Sequence, residues 1–203
     1  MDEFDKPNPK VLTIADVETN KNYALVISTN SGLWRYLIGD TIKFTSIFPH
    51  KILISGRTKH FINAFGEEII IDNAEQALRI ACKKTKSQIS DYTAAPVFMK
   101  DRTKGKHEWL IEFSQAPKNM EEFEFALDEA LMECNSDYEA KRYKSITLDK
   151  PIIHQASPYT FYTWLAEKGK LGGQNKVPRL SNDRTYMDEL LPIHHRLQKQ
   201  IRN

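Results

Sequence analysis

Residues 170–180, KLGGQNKVPRL, put two glycines, two lysines and an arginine into one short stretch with hardly any apolar periodicity. Two readings are open. Turn chemistry alone accounts for a glycine pair with lysines on a solvated surface. Alternatively, Gly172 and Gly173 form a flexible arm that delivers Lys176 to a phosphate or a developing anion. The spacing is not that of a P-loop, because no Gly-Lys is followed by Ser or Thr. Arg179 follows directly after Pro178.

Two other stretches carry residue types that could do chemistry. WRYLIGD (34–40) ends a strand-like run with Gly39 and Asp40. An ionised carboxylate offers two acceptor oxygens, enough for both hydroxyls of a ribose. A turn aspartate bonding its own backbone is the other reading of Asp40. GRTKHFINAFGEEIIIDNAEQAL (56–78) sets Arg57 directly after a glycine, then Lys59, a second glycine at Gly66, and a helix that carries Glu75. Taken without the rest, that stretch is equally a basic turn and a capped helix.

The elements that must position these residues fall into two groups. NYALVIST (22–29), LWRYLIG (33–39), TIKFTSI (41–47) and ILISG (52–56) are short β-branched or aromatic runs, split by NSG and GD turns. DNAEQALRIACKKT (72–85) has Ala74, Ala77, Leu78 and Ala81 on one face, an amphipathic helix with Asp72 or Asn73 as its N-cap. YTAAPVFMK (92–100) and HEWLIEF (107–113) predict an antiparallel pair joined by the polar turn DRTKGK. A second amphipathic helix over 121–134 aligns Phe123, Ala126, Leu127, Ala130 and Leu131. SITLDKPIIH (145–154) predicts a strand, a helix covers about 158–168, and a polar helix runs from about 183 to the end. With a strand at 52–54 or 69–71 in front, the order from residue 57 is that of a split β-α-β unit: a small sheet with helices on one face. The expected fold class is α+β, with a β-rich piece at 1–56 and a compact lobe at 57–203, the boundary falling near SGRTK.

The totals exclude several classes. At 203 residues a sizeable core is possible. Apolar residues at 40% and charged residues at 28% describe an ordinary globular composition. A net charge of +2 is too small to argue for nucleic acid or an anionic membrane. No run approaches the ~18 apolar residues of a membrane span, and MDEFDKPNPK has no apolar signal-peptide core. Cys82 and Cys134 sit in helical patterns without a near partner, so free thiols in a reducing cytoplasm are expected. No metal motif is present. HEWL lacks a second histidine at helical spacing, and His194 and His195 would point about 100° apart on a helix. Both are expected at a surface or interface.

The order of GLWRYLIGD, GRTKHFINAFGEE, CNSDYEAKR and KLGGQNKVPRLSNDR resembles the C-terminal part of the adenylate-forming acyl-ligase superfamily. It is most similar to the auxin-responsive acyl acid–amido synthetase family in its bacterial branch. The likeness spans about residues 22–186, and the lysine-bearing stretch is its most specific part. The resemblance implies a role for each matching position. Asp40 resembles the aspartate that holds the ribose hydroxyls of ATP and of the acyl-adenylate, and Arg57 the arginine that contacts the same nucleotide. Lys59 occupies the place of the hinge residue, within a hinge near 57–60 about which a mobile C-terminal lid swings. Gly66 matches the glycine of the following loop and Glu75 the glutamate of the next helix. Lys176 resembles the lysine that reaches the carboxylate and α-phosphate during adenylation.

The implied reaction activates a carboxylic acid with ATP and passes the acyl group to an amine, expected to be an amino acid, forming an amide. A thioester is the other product open, and the likeness of GGQNKVPRLSNDR to the amido synthetases favours the amide. ATP is then a substrate, magnesium is expected with it, and no cofactor is expected to be bound tightly. The resemblance departs from the family at one point. Nothing in the chain matches the Ser/Thr/Gly-rich phosphate loop or the acyl pocket, which family members carry in a large N-terminal domain. Residues 1–56 are then expected to be a remnant of that domain's β-barrel subdomain. The N-terminal domain becomes an expected partner, and the chain alone is expected to be incomplete and inactive. Neither nucleic acid nor membrane is an expected partner, and the expected location is cytoplasmic. The alternative is a standalone, non-catalytic α+β module that binds a nucleotide or a protein partner, with an exposed β edge as its route to a dimer.

Overall fold

A computed structural model describes residues 8–58, 61–99, 103–143, 147–172 and 175–202. The chain divides into two compact units, residues 1–59 and 60–203. Of the expected site residues, Lys59 and Gly173 lie outside the described residues.

The first unit holds an antiparallel sheet of β1 (Asn22–Ile27), β2 (Tyr36–Ile47) and β3 (His50–Arg57), in that order. The two strands expected at 33–39 and 41–47 are one strand, so the expected GD turn is corrected. The chain passes through Gly39 at φ +90° and stays in the ladder. A side chain would be strained in that conformation, and glycine adopts it freely. Asp40 consequently lies inside β2, paired with Arg57 of β3. Ile42 and Phe44 are buried beside Thr41 and Ser55, whose hydroxyls bond to each other at 3.2 Å. Trp34, Ile38, Ile52 and Ile54 are exposed.

The second unit opens with the short pair β4 (Phe61–Ile62) and β5 (Ile69–Ile70), followed by α1 (Ile71–Thr85). A mixed sheet follows: β6 (Gln88–Val97) is antiparallel to β7 (Lys106–Gln115), and β7 is parallel to β8 (Ile152–Gln155). Between β7 and β8 lie α2 (Met120–Cys134) and α3 (Ser136–Arg142), and after β8 come α4 (Thr160–Glu167) and α5 (Thr185–Arg202).

Alternation along the strands explains how the helices are distributed. Tyr92, Ala94, Trp109 and Ile111 join the core with the apolar stripes of α1 and α2. Ala95 and Leu110, one residue out of step, join Phe161, Trp164, Met187 and Leu190 of α4 and α5. Successive strand residues point to opposite faces, so both faces are covered, and the expectation of helices on one face is corrected. The alanines of α1 and α2 carry little side chain, which lets these helices pack closely.

Several local expectations are also corrected. The cap of α1 is not Asp72 or Asn73 at the N-cap position. That position is Ile70, and Asn73 reaches back from the first turn to accept the Ile70 N–H at 3.2 Å. The α3 helix was not expected, and it is started by Asn135, which accepts the Tyr138 N–H at 2.7 Å. Of the strand expected at 145–154, residues 145 and 146 lie outside the described residues, and among the rest the ladder with β7 begins at Ile152. The last helix is amphipathic rather than polar, with Met187, Leu190 and Ile193 buried.

His194 is buried rather than at a surface. The Ser157 N–H donates to its Nδ1 at 3.0 Å, and burial foremost holds its pKa below the usual histidine range. His195 beside it is exposed. Cys82 and Cys134 are free and half-buried. Among the described residues no helix is long and apolar enough to cross a membrane.

One buried ion pair ties α2, α3 and the segment before β8 together. Arg142 donates from Nε to Asp128 Oδ1 at 2.8 Å and from Nη1 to the Leu148 carbonyl at 3.0 Å, while the Tyr138 hydroxyl donates to Asp128 at 2.8 Å. Every charge in this cluster has several partners, as a buried pair requires to offset desolvation.

Candidate functional site

The candidate residues belong to both units. In the first, Asp40 and Arg57 are cross-strand partners, and Arg57 Nε lies 3.1 Å from Asp40 Oδ1. The Arg57 side chain is 62% exposed and that of Asp40 25%. A pair this open to water adds little stability, so its residue types matter more for what they can bind. The Thr58 N–H donates to the Gly39 carbonyl at 2.9 Å, closing the ladder beyond the pair.

In the second unit, Gly66 sits at φ +85° in the loop between β4 and β5. A Cβ there would come within 3.2 Å of the mobile tip of Lys141, so backbone conformation rather than space selects glycine. The residue after it, Glu67, is fully buried. Its carboxylate accepts the Phe65 N–H at 2.7 Å and meets His107 Nε2 at 2.7 Å. Burial pushes the Glu67 carboxyl up, yet the hydrogen bond and charge of His107, with the backbone N–H groups, hold it below its ordinary value. The His107 ring lies between those of Phe65 and Tyr138. The Gly66 loop is thus fastened to β7 from beneath.

The lysine-bearing stretch is anchored on the side that follows Lys176, and Gly173 on the other side lies outside the described residues. Val177 and Leu180 are buried, and residues 178–181 lie along the free edge of β6. The Ala94 N–H donates to the Arg179 carbonyl at 2.9 Å, the Ser181 N–H to the Ala94 carbonyl at 3.1 Å, and the Thr93 hydroxyl to the Pro178 carbonyl at 2.7 Å. Unpaired β-edge groups are satisfied this way. Lys176 is exposed, immediately before the anchored residues, and Gly172 on the other side adopts φ +88°.

The lysine stretch and the Gly66 loop also touch each other, because the Asn63 N–H donates to Asn182 Oδ1 at 2.7 Å. Glu75 stands on the exposed side of α1. Its negative charge helps raise the pKa of the Tyr92 hydroxyl, although burial is the larger cause.

Around this stretch lie contacts that sequence reasoning did not single out. The Arg179 guanidinium stacks 4.5 Å from the centre of the Tyr92 ring, and its Nη1 lies 3.8 Å from Asp91 Oδ1. Burial raises the Asp91 carboxyl, opposed by the positive charges of Arg179 and Lys176. The signal available in the sequence was Arg179 itself, three places after the lysine. For Asn63 with Asn182 and for Glu67 with His107, partners distant in sequence left no local signal. Among the described residues no group of three or more His, Cys, Asp or Glu converges as a metal site.

Comparison with known proteins gives matches at each level. The model of the GH3 family C-terminal domain matches residues 72–185, and that of the GH3 family central domain matches residues 1–57. A probable indole-3-acetic acid-amido synthetase, GH3.2 of Oryza sativa subsp. japonica, is 44% identical over 41 residues, which are 20% of this chain and 7% of that protein. The solved GH3.15 acyl acid amido synthetase superposes with a TM-score of 0.68 at 22% identity, over 91% of this chain and 35% of its own. AtGH3.15 acyl acid amido synthetase in complex with 2,4-DB gives 0.65 at 21% identity, over 91% and 34%. At such identities the likeness is one of fold, and this chain spans about a third of those proteins' length.

Proposed function

Because this chain belongs to the GH3 family, we propose that it supplies part of the nucleotide site and the lid lobe of an acyl acid–amido synthetase. In this reading the enzyme activates a carboxylic acid with ATP and passes the acyl group to an amino acid. The observation that carries the reading is the lysine stretch, anchored along β6 and bonded to the Gly66 loop through Asn63 and Asn182.

In the first half-reaction a carboxylate oxygen of the acid attacks the α-phosphorus of ATP and pyrophosphate leaves. Negative charge grows on the α-phosphoryl oxygens as two anions approach each other. The Lys176 ammonium meets that charge, a contribution typically worth about 3–4 kcal/mol for one preorganised donor. The Asp40 carboxylate accepts from the ribose hydroxyls, and Arg57, already beside it, fixes its orientation. ATP enters as its magnesium complex, the metal held chiefly by phosphate oxygens. In the second half-reaction the amine nitrogen attacks the acyl carbon, AMP leaves, and the nitrogen loses a proton. Gly66 and Glu75 act in support, through the loop and the helix that follow the hinge at Lys59.

A phosphate loop and an acyl pocket are supplied in this reading by an N-terminal domain, the partner of this chain. The exposed Trp34, Ile38, Ile52 and Ile54 of the first unit suit packing against further protein. The test is carboxylate-dependent exchange of labelled pyrophosphate into ATP, using the protein that joins this chain to such a domain and a panel of carboxylic acids. Exchange with at least one acid, followed by amide formation on adding amino acids, is expected. Absence of exchange with every acid, together with absence of ATP binding, overturns the reading in favour of a non-catalytic module.

A further inference from the structure

We infer that Arg179 is a positioning residue for Lys176, clamped by Tyr92 and Asp91 so that the lysine is always offered from one place. The inference rests on the adenylating role proposed for Lys176 and extends it to residues that make no contact with substrate.

The guanidinium of Arg179 is already engaged. It stacks on the Tyr92 ring at 4.5 Å and pairs with Asp91 at 3.8 Å, with only 31% of the side chain exposed. A planar guanidinium suits simultaneous stacking and ion pairing, which an ammonium does not reproduce. Asp91 is itself fixed, because its Oδ1 accepts the Tyr92 N–H at 2.9 Å. The backbone of Arg179 is held as firmly, its carbonyl accepting the Ala94 N–H at 2.9 Å while Leu180 beyond it is fully buried. An arginine so occupied is poorly placed to follow a phosphate.

What it does instead follows from chain length. Three residues span at most ~11 Å, and from Arg179 back to Lys176 they include buried Val177 and φ-restricted Pro178. Fixing Arg179 therefore fixes the root of Lys176 within a small volume and leaves the side chain to make the final reach. A donor contributes most when it is preorganised, and a displacement of about 1 Å costs on the order of 100-fold in rate. The negative charge of Asp91 faces the Arg179 guanidinium, and so helps to hold the clamp in place.

The experiment is a double-mutant cycle in the protein that joins this chain to its N-terminal domain, read by carboxylate-dependent pyrophosphate exchange. Arg179→Ala is expected to lower kcat by about 10- to 100-fold while KM for ATP changes little. Combined with Lys176→Ala it is expected to be no slower than Lys176→Ala alone, because one residue acts through the other. Arg179→Lys should restore only part of the rate, and Asp91→Asn should lower kcat in the same direction without disturbing the core. Independent multiplicative losses in the double variant, or an unchanged kcat in Arg179→Ala, overturn the inference.

A second measurement separates failure of the clamp from failure of the lysine's role. Amide hydrogen exchange at Ala94 and Ser181 should quicken in Arg179→Ala while α1 and α2 stay protected. No change at Ala94 overturns the clamp. If Ala94 responds but Lys176→Ala leaves pyrophosphate exchange intact, the adenylating role of Lys176 falls, and the positioning role with it.

Discussion

Asp40 and Arg57 face each other across the β2–β3 ladder, with Nε 3.1 Å from Oδ1. The sequence argues for Asp40 as a ribose contact by its type and for Arg57 by its family resemblance, and the strand ladder pairs the two. An arginine in that position neutralises and orients the carboxylate that the ribose hydroxyls would meet. In the proposed enzyme, Asp40→Ala should therefore weaken ATP binding by about 10-fold, following the loss of hydrogen bonds to a charged group. Arg57→Ala should weaken it less. Because Arg57 is well exposed and the pair is open to water at that end, the melting temperature should move little in either variant. A fall in melting temperature with unaltered ATP affinity would mean that Asp40 serves only the strand.

In the proposed enzyme, a lid that moves between half-reactions gives a prediction at Lys59, the last residue of the first unit. A hinge residue changes φ and ψ as a lid swings. Lys59→Pro holds φ near −65° and drives Thr58 towards extended conformations. One half-reaction should then survive and the other should fail by 10-fold or more, a loss on the order of 1.4 kcal/mol. Pyrophosphate exchange reads the first step, and amide formation from pre-formed acyl-adenylate reads the second. Equal losses in both, in step with a lowered melting temperature, would remove the hinge from this position.

How much of this was legible depends on whether a signal is local. The stripes Ala74-Ala77-Leu78-Ala81 and Phe123-Ala126-Leu127-Ala130-Leu131 recur at helical spacing, and all of these residues are buried. The alternation that sends Trp109 to one face of the sheet and Leu110 to the other was also present in the sequence. Its consequence, helices on both faces, was not drawn, because the apolar stripe of α5 is diluted by charged residues. Glycine before aspartate most often makes a turn, and it is the pairing of β2 with both β1 and β3 that keeps Gly39 in a strand. Asp40, Arg57 and Lys176 stood out by type and motif. Arg179 with Tyr92, and Asn63 with Asn182, are tertiary contacts whose partners lie far apart in the chain. No periodicity announces them.

The pH dependence of stability should expose His194. Its pKa is lowered foremost by burial, with the charges of His195 and His154 adding to the effect. The Ser157 N–H donates to its Nδ1, which requires that nitrogen to be unprotonated. The folded state thus prefers the neutral ring, and the unfolded chain, titrating near 6.5, takes up a proton first. Stability from this residue is complete above about pH 6.5 and is lost as pH falls through the lower folded value. Glu67 acts further down: its lowered carboxyl gives stability that is complete above about pH 4.5 and is lost at more acid values. The melting temperature should therefore decline between pH 7 and 5, by about 2–4 °C for each kcal/mol lost, and decline again below pH 4.5. His194→Asn keeps an acceptor for the Ser157 N–H but removes the titrating ring. It should flatten the upper decline and leave the acid one, whereas Glu67→Gln should do the reverse from a lower starting stability, since it weakens a buried pair. An upper decline that persists unchanged in His194→Asn would assign it to another group.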